Sequence, residues 1–529
     1  MESNVAESSP SLVIRLLDPA AYPHPTTGIR LIETHISWVF LTGDVVYKVK
    51  KPCSLGFLDF STLERRRQFC EEEVRLSGRF APDLYLGVVP IAGPAHEAMV
   101  DGKGDAIEWA VKLRQFDEAG RLDRLFDDRK LSADDCERLG AEIAHVEARL
   151  AVADSQAGWG TPSAFAATVA MNLDQLRRAR PQIAQQADSL QAWIDAEVDQ
   201  VGPAIEDRVV AGKIRECHGD LHLANIVLHN GQLMAFDGIE FNESLRWIDV
   251  ANDVAFLAMD LHARGRPDFA ARVLNAWMEV ADDHAAAEVL PVYMVYRAIV
   301  RAAVAAIRLG QATAVGDAAA AEAAGRDSDR YLDLAMSLTA TRQPRLFVTS
   351  GVSGTGKTTL AGRIIDACGA VRLRSDVERK RLAGMAATDR PADESHAGEL
   401  YATEMTDRVY QRLATLAATL LRAGTNVVID ATCNIRRQRD MLAAVARDVG
   451  VPLVWLELDV PAEFVLARVA ARQAAGTDAS DASLDVVRSQ LGSRQPITRE
   501  EVAAVPGARL VVVSPWDAED PAFVKRVTG

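Results

Sequence analysis

Residues 351–358, Gly-Val-Ser-Gly-Thr-Gly-Lys-Thr, constrain this chain more than any other stretch. They fit the pattern GxxxxGK[ST] and stand between the apolar run RLFVTS and the helical run LAGRIIDAC, so the segment reads as strand, glycine-rich turn and helix. Glycines there let successive backbone N–H groups wrap a phosphate, and the helix N-terminus adds about half a positive charge. Lys357 neutralises the outer phosphates and Thr358 can hold Mg²⁺. Gly351, Ser353, Gly354, Thr355, Gly356, Lys357, Thr358 and Thr359 are therefore the expected phosphate-holding residues. From Arg345 onward strand and helix patterns alternate to the last residue, as in a parallel sheet.

Three further features of this half carry chemistry. In RLRSDVERKRL, Asp376 and Arg379 follow a short strand, where a carboxylate can accept a hydroxyl proton and an arginine can grip a substrate; a charged helix start is the plainer reading. In NVVIDATCNIRRQR, Asp430 ends an apolar strand, the place for a carboxylate that holds Mg²⁺ or, alternatively, caps a helix. Arg468 and Arg472 lie four apart on a helical run, either as a lid over a transferred phosphoryl group or as a solvated face. Together these features resemble the small-molecule and polynucleotide kinases among P-loop proteins, gluconate kinase included, over about 185 residues. The resemblance implies Asp376 as general base, Arg379 as a substrate contact and Arg468 or Arg472 as lid arginines.

A second cluster lies upstream. His218-Gly219-Asp220-Leu221-His222-Leu223-Ala224-Asn225 precedes two apolar runs joined by Asn230-Gly231, a strong hairpin signal, and Phe236-Asp237-Gly238 closes the hairpin. This spacing lets Asp220, Asn225 and Asp237 converge, with Asp220 accepting a hydroxyl proton while Asn225 and Asp237 hold metal ions that bridge phosphates. An ordinary polar loop is the competing reading. His218 and His222 read as packing and hydrogen-bonding groups rather than metal ligands. Over residues 28 to about 315 the sequence resembles the aminoglycoside phosphotransferase family, with the motif HGDxxxxN and its following Asp present in full.

That resemblance implies a protein-kinase-like fold with Lys48 of VVYKVKK as the strand lysine for nucleotide phosphates, and Lys50 as the register alternative. Its helix partner falls in Glu71-Glu72-Glu73, with Glu73 favoured; Asp253 takes a structural role and Val111 to Phe116 form the hinge over the adenine. No GxGxxG precedes Lys48, so phosphate gripping in the small lobe does not rest on a glycine-rich loop. Arg297 and Arg301 share a helix face and either line the acceptor site or are satisfied structural arginines.

The 529 residues, 49% hydrophobic and 25% charged, suit several globular domains and exclude collagen-like or disordered chains. The expected class is a multi-domain α/β chain: a two-lobed kinase-like α+β domain, with a small lobe over 1–117 and a helical large lobe over 118–342, then a P-loop α/β domain over 343–529. Net charge is 59 − 74 = −15; residues 345–529 hold 24 Lys/Arg against 23 Asp/Glu, so the acidity sits upstream. Six cysteines without a CxxC pair suggest neither a disulfide framework nor a zinc site. An acidic, polar N-terminus and the lack of eighteen uninterrupted apolar residues suggest a cytoplasmic protein without a membrane partner.

The leading expectation is a bifunctional kinase using ATP and Mg²⁺ on the hydroxyl groups of small-molecule acceptors. Two other readings stay open. One domain could bind ATP only to regulate the other, or the C-terminal acceptor could be a nucleic-acid 5′ end met by RKR at 379–381 and RRQR at 436–439, which the domain's near-zero charge disfavours.

Overall fold

The computed structural model describes residues 10–54, 58–341, 343–386, 389, 400–475, 484–514, 517 and 520–528, with the side chains of 472–475 and 521 outside that set. The chain divides into two compact units. The first comprises Met1–Asp135, Glu142–Asp260 and Tyr296–Asp329; the second comprises Cys136–Ala141, Leu261–Val295 and Arg330–Gly529. The expected boundary near 342 lies just before the strand Leu346–Ser350, but the second unit also takes in the helix Pro267–Ala281 from far upstream.

The first unit begins with an antiparallel sheet of six strands: β1 (Arg30–Glu33), β2 (Ser37–Leu41), β3 (Val45–Lys50), β4 (Tyr85–Ala92), β5 (Met99–Val100) and β6 (Ala106–Arg114), in the order β1-β2-β3-β6-β4-β5. β2 and β3 form a hairpin around Gly43, whose φ of +118° is open to glycine and strained for other residues. The β3–β6 register sets Lys48 opposite Val111. The Leu63–Ser77 helix crosses between β3 and β4, capped by Thr62 Oγ1 accepting from the N–H of Arg65. Cys70 and Val74 turn inward against Tyr85, Val111 and Met234, so one helix face is fixed to the sheet.

Helices follow. Ser132 and Asp135 make a capping box for Ala133–Glu147. The break at Pro181 appears as a short 3-10 turn between Pro162–Ala179 and Ala184–Val210. The second of these runs on to Val210 with Pro203 inside it. β7 (Ile214–Glu216) pairs with β10 (Trp247–Asp249), and between them β8 (Ile226–His229) and β9 (Gln232–Ala235) form the Asn230-Gly231 hairpin, with φ of +50° and +79° at the turn. The Leu290–Ala314 helix is long and apolar enough to span a membrane, but 72% of its most apolar window is buried inside the protein, as in a core helix.

The second unit is built on a parallel sheet, ordered β12-β13-β11-β14-β15: β11 (Leu346–Ser350), β12 (Val371–Arg374), β13 (Val427–Asp430), β14 (Leu453–Leu458) and β15 (Arg509–Val513). Every residue of β11 and β13 is buried, as expected for strands covered on both faces. Because the chain runs from central β11 to one side and later to the other, the strand ends around β11 form a crevice, the usual ligand site of such sheets. The Pro267–Ala281 helix is part of this unit. Arg272 donates to both carboxylate oxygens of Asp366 at 2.6 and 2.8 Å, and Asn275 serves edge strand β12 by donating to Ala370 O and accepting from the N–H of Arg372.

Gly140 shows how tightly this helix is seated. A Cβ built there would lie 2.2 Å from the carbonyl oxygen of Val273. Gly140→Ala gains about 1 kcal/mol in helix propensity but must push a backbone carbonyl aside, a loss of about 1–3 kcal/mol. The expected net effect is a lower unfolding midpoint for the second unit in denaturant titrations; a raised midpoint would contradict the packing.

Candidate active sites

In the first unit the HGD turn is held from beneath. The two carboxylate oxygens of Asp253 accept from the backbone N–H groups of His218 and Gly219, each at 2.9 Å. Arg297, almost fully buried, donates to Gly219 O at 3.1 Å and to Asn252 Oδ1 at 2.8 Å, so its side chain fixes the turn. Gly219 has φ +83°, and a Cβ there would meet Leu245 O at 2.7 Å, so no other residue fits. His218 is buried, its Nε2 3.0 Å from Phe236 O, and burial lowers its pKa. Arg301 Nη1 lies 3.2 Å from His222 Nε2.

The expected trio meets here. Asn225 Nδ2 donates to Asp220 Oδ2 at 2.9 Å and to Asp220 O at 3.0 Å, and the carbonyl of Asn225 accepts from the N–H of Phe236 at 2.9 Å, beside Asp237. Desolvation pushes the Asp220 carboxyl up, but His222, Arg301 and His218 together hold it well below the usual carboxylate range, so it is ionised. Asp237 sits at φ +62° with its N–H donated to Tyr85 Oη at 3.0 Å, which aims the half-exposed carboxylate at Lys48. Non-glycine residues held at positive φ recur at functional sites.

The strand lysine and helix glutamate also come together. Lys48 Nζ donates to Glu73 Oε1 at 2.9 Å and to Asp237 Oδ1. Lys50, the register alternative, points the same way: it donates to Glu73 Oε2 at 2.7 Å and to Glu240 Oε1. Of the three glutamates, Glu73 alone faces the lysines; Glu71 pairs with Arg67 and Glu72 with Arg75. Burial pushes the Glu73 carboxyl up, yet the two ammonium groups outweigh it and bring it to about 2. Lys48 stays protonated, its pKa lowered by desolvation but raised more by Asp237 and Glu73. Val111 to Phe116 lie at the end of β6 and beyond, where Phe116 packs on Phe236 at 5.0 Å between ring centroids.

In the second unit the phosphate loop leaves β11 and enters the Lys357–Cys368 helix. Gly351, Gly354 and Gly356 have φ of +154°, +90° and +99°, and a Cβ on Gly354 would press Val469 at 2.8 Å. Lys357 Nζ and Thr355 Oγ1 both donate to Val352 O at 2.9 Å. Ser353 donates its N–H to Gln490 Oε1 at 2.8 Å, while Thr358 and Thr359 are exposed. Arg468, also exposed, reaches the loop: its Nη1 would lie 4.0 Å from a Cβ on Gly356. The side chain of Arg472 lies outside the described residues.

Asp376 follows β12 and Asp430 ends its neighbour β13, so both stand at the strand ends beside the loop. Asp376 is open to solvent and yet closely walled by protein. Desolvation and the Asp430 charge raise its pKa against the pull of Lys357, Arg379 and Arg374. Arg379 is buried, its Nη1 donating to Leu400 O at 2.7 Å and to Thr406 Oγ1 at 3.2 Å, with its guanidinium over the Tyr401 ring. The structure thus uses Arg379 to seat the Thr403–Arg422 helix as well as to face Asp376.

Both donor sets suit a magnesium nucleotide. Asn225 turns its amide nitrogen to Asp220, so its Oδ1 and the Asp237 carboxylate are the hard oxygen donors this segment could offer a metal. In the loop, the glycine positions a Cβ would fill form a cradle of backbone amides. Sequence reasoning missed Glu240 and Gln490. Glu240 had a weak signal, three residues after Asp237; Gln490 had none, because its contact with the loop spans 137 residues.

Residues 57–290 match the family model described as phosphotransferase enzyme family, and residues 346–497 match the model described as AAA domain. An uncharacterized protein of Mycobacterium tuberculosis is 29% identical over 465 residues, 86% of this chain and 89% of that protein. Among solved structures, a choline/ethanolamine kinase family protein from Mesorhizobium loti aligns over 64% of this chain and all of its own, at 14% identity and TM-score 0.36. A gluconokinase from Sinorhizobium meliloti aligns over 35% of this chain and 90% of its own, at 21% identity and TM-score 0.25.

Glu73 neutralises the buried Lys50 and the partly buried Lys48, so Glu73→Ala is expected to cost the first unit about 3–5 kcal/mol, measured by denaturant unfolding. Because its folded pKa is depressed, the stability Glu73 adds is complete above the ordinary carboxylate value and is lost as pH falls toward about 2. Thermal midpoints of Glu73→Gln should therefore fall less steeply on acidification than those of the parent; parallel slopes would contradict the assignment.

Proposed function

We propose that this chain, a phosphotransferase-family domain joined to an AAA-type P-loop kinase domain, is a bifunctional kinase that phosphorylates hydroxyl groups of small molecules at two separate sites. Enzymes of these families use ATP, usually with Mg²⁺. The observation that carries the reading is that each unit gathers a lysine, two carboxylates and a set of phosphate-accepting or metal-accepting groups around one point: Lys48, Asp220 and Asp237 in the first, Lys357, Asp376 and Asp430 in the second.

MgATP, when bound, would supply the phosphoryl group and a metal charge to offset the charge that develops on transfer. In the first unit Lys48, oriented by Glu73, would take the phosphate oxygens, and Asn225 and Asp237 would hold the metal. Asp220 stays ionised and receives the acceptor's hydroxyl proton at its carboxylate, with Asn225 fixing the rotamer. In the second unit the amides of residues 354–358, Lys357 and Arg468 would hold the phosphates, and Thr358 and Asp430 would hold the metal. Asp376, whose pKa is raised, takes the acceptor proton. Transfer is in line, with no covalent phosphoenzyme.

Two independent activities follow. With ATP, Mg²⁺ and a panel of sugars, nucleosides, aminoglycosides and oligonucleotides, ADP release should separate into two acceptor-dependent activities. Asp220→Asn should lower one by about 10²–10⁴-fold, and Lys357→Ala should remove the other while sparing the first. Loss of both activities from either substitution would favour coupling of a regulatory domain to a single catalytic one.

A further inference from the structure

The two lysines of β3 belong to one alternating row of charges. It runs Asp237, Lys48, Glu73, Lys50, Glu240, and its two ends lie three residues apart on the segment that follows β9. The two halves of the row differ in exposure. Asp237 has 48% of its side-chain surface exposed, while Lys50 has 0% and Glu240 has 4%. Lys50 also lies 5.0 Å from the centroid of the buried Phe60 ring. A ligand can reach the Lys48 end of the row and cannot reach the Lys50 end.

This difference matters when the site is loaded, and the inference rests on the function proposed for the first unit. Lys48 then turns to phosphate oxygens and Asp237 to the metal, so the ion pair that ties strand to segment at that end is shared or given up. What remains is the buried pair, together with Gly238 donating its N–H to Ser77 Oγ at 3.1 Å and Asp237 donating its own to Tyr85 Oη. Glu240 is fixed further by Arg246, which donates to its carbonyl at 3.1 Å.

We propose that Lys50 and Glu240 form a second, ligand-independent tie that keeps Asp237 beside the Lys48–Glu73 pair, and that both are positioning residues for the first site. Removing one partner strands a buried charge and destabilises the fold whatever its role. Replacing both by apolar residues of similar size removes the tie without that penalty.

The test uses the full-length chain carrying Lys357→Ala, so that only the first site is read, with Mn²⁺ as the metal and a fluorescent non-hydrolysable ATP analogue as the probe. Asp237→Asn should abolish the Mn²⁺ dependence of analogue binding. The double variant Lys50→Met, Glu240→Leu should unfold cooperatively near the parent midpoint yet need about 10–100-fold more Mn²⁺, the usual loss when a group that orients a metal ligand is removed, whereas Lys50→Arg should keep the parent value. A folded double variant with parental Mn²⁺ dependence overturns the proposal. Should the double variant show no cooperative transition, the same titration on Glu240→Gln decides between the same two results. An Asp237→Asn variant that binds analogue and Mn²⁺ as the parent does overturns the reading of the first site, and the tie with it.

Discussion

Taking an ammonium group out of water costs several kcal/mol unless carboxylates and hydrogen bonds replace the lost hydration. The first unit does this twice on one strand, and the resulting demand organises everything near it. Lys48 and Lys50 face the same side of β3, so a single carboxylate, that of Glu73, is shared between them. The sharing fixes the Leu63–Ser77 helix in rotation as well as position. The remaining positive charge draws Asp237 and Glu240 from the far side of the β8–β9 hairpin, and these close the site.

Under the proposed function the second unit reaches the same chemical end by other means. Its phosphate cradle is made of backbone, and the three glycines at positive φ allow it because no side chain stands in the way. Backbone amides need no neutralising partner, so the loop carries little charge of its own. The charged groups around it, Asp376, Asp430 and Lys357, come from strand ends and a helix start whose positions are set by the buried sheet. The Pro267–Ala281 helix supports that sheet by bonding edge strand β12 through Asn275 and the loop-following helix through Arg272. A segment matched by the phosphotransferase family model thus contributes to the packing of the P-loop unit.

Much of this was legible in the sequence because its signals are local. The phosphate loop, the HGD turn with Asn225 and the Asn230-Gly231 hairpin each fall within a few residues, where backbone chemistry leaves few alternatives. Features set by distant contacts were not legible. Both lysines of β3 serve one glutamate, so the register alternatives Lys48 and Lys50 are not exclusive, which strand alternation alone cannot reveal. Arg297 grips the HGD turn from a helix 78 residues away, and Gln490 meets the phosphate loop across 137. Pro203 within the long Ala184–Val210 helix shows tertiary packing overriding a local breaker.

The account rests on two distinct nucleotide sites in one chain, and the number of nucleotides bound measures this directly. Equilibrium dialysis of the full-length protein with a non-hydrolysable ATP analogue and Mg²⁺ should give two analogues per chain. Lys48→Met and Lys357→Ala should each reduce this to one, and the two together to none. One analogue per chain in the parent, abolished by either substitution alone, would contradict it.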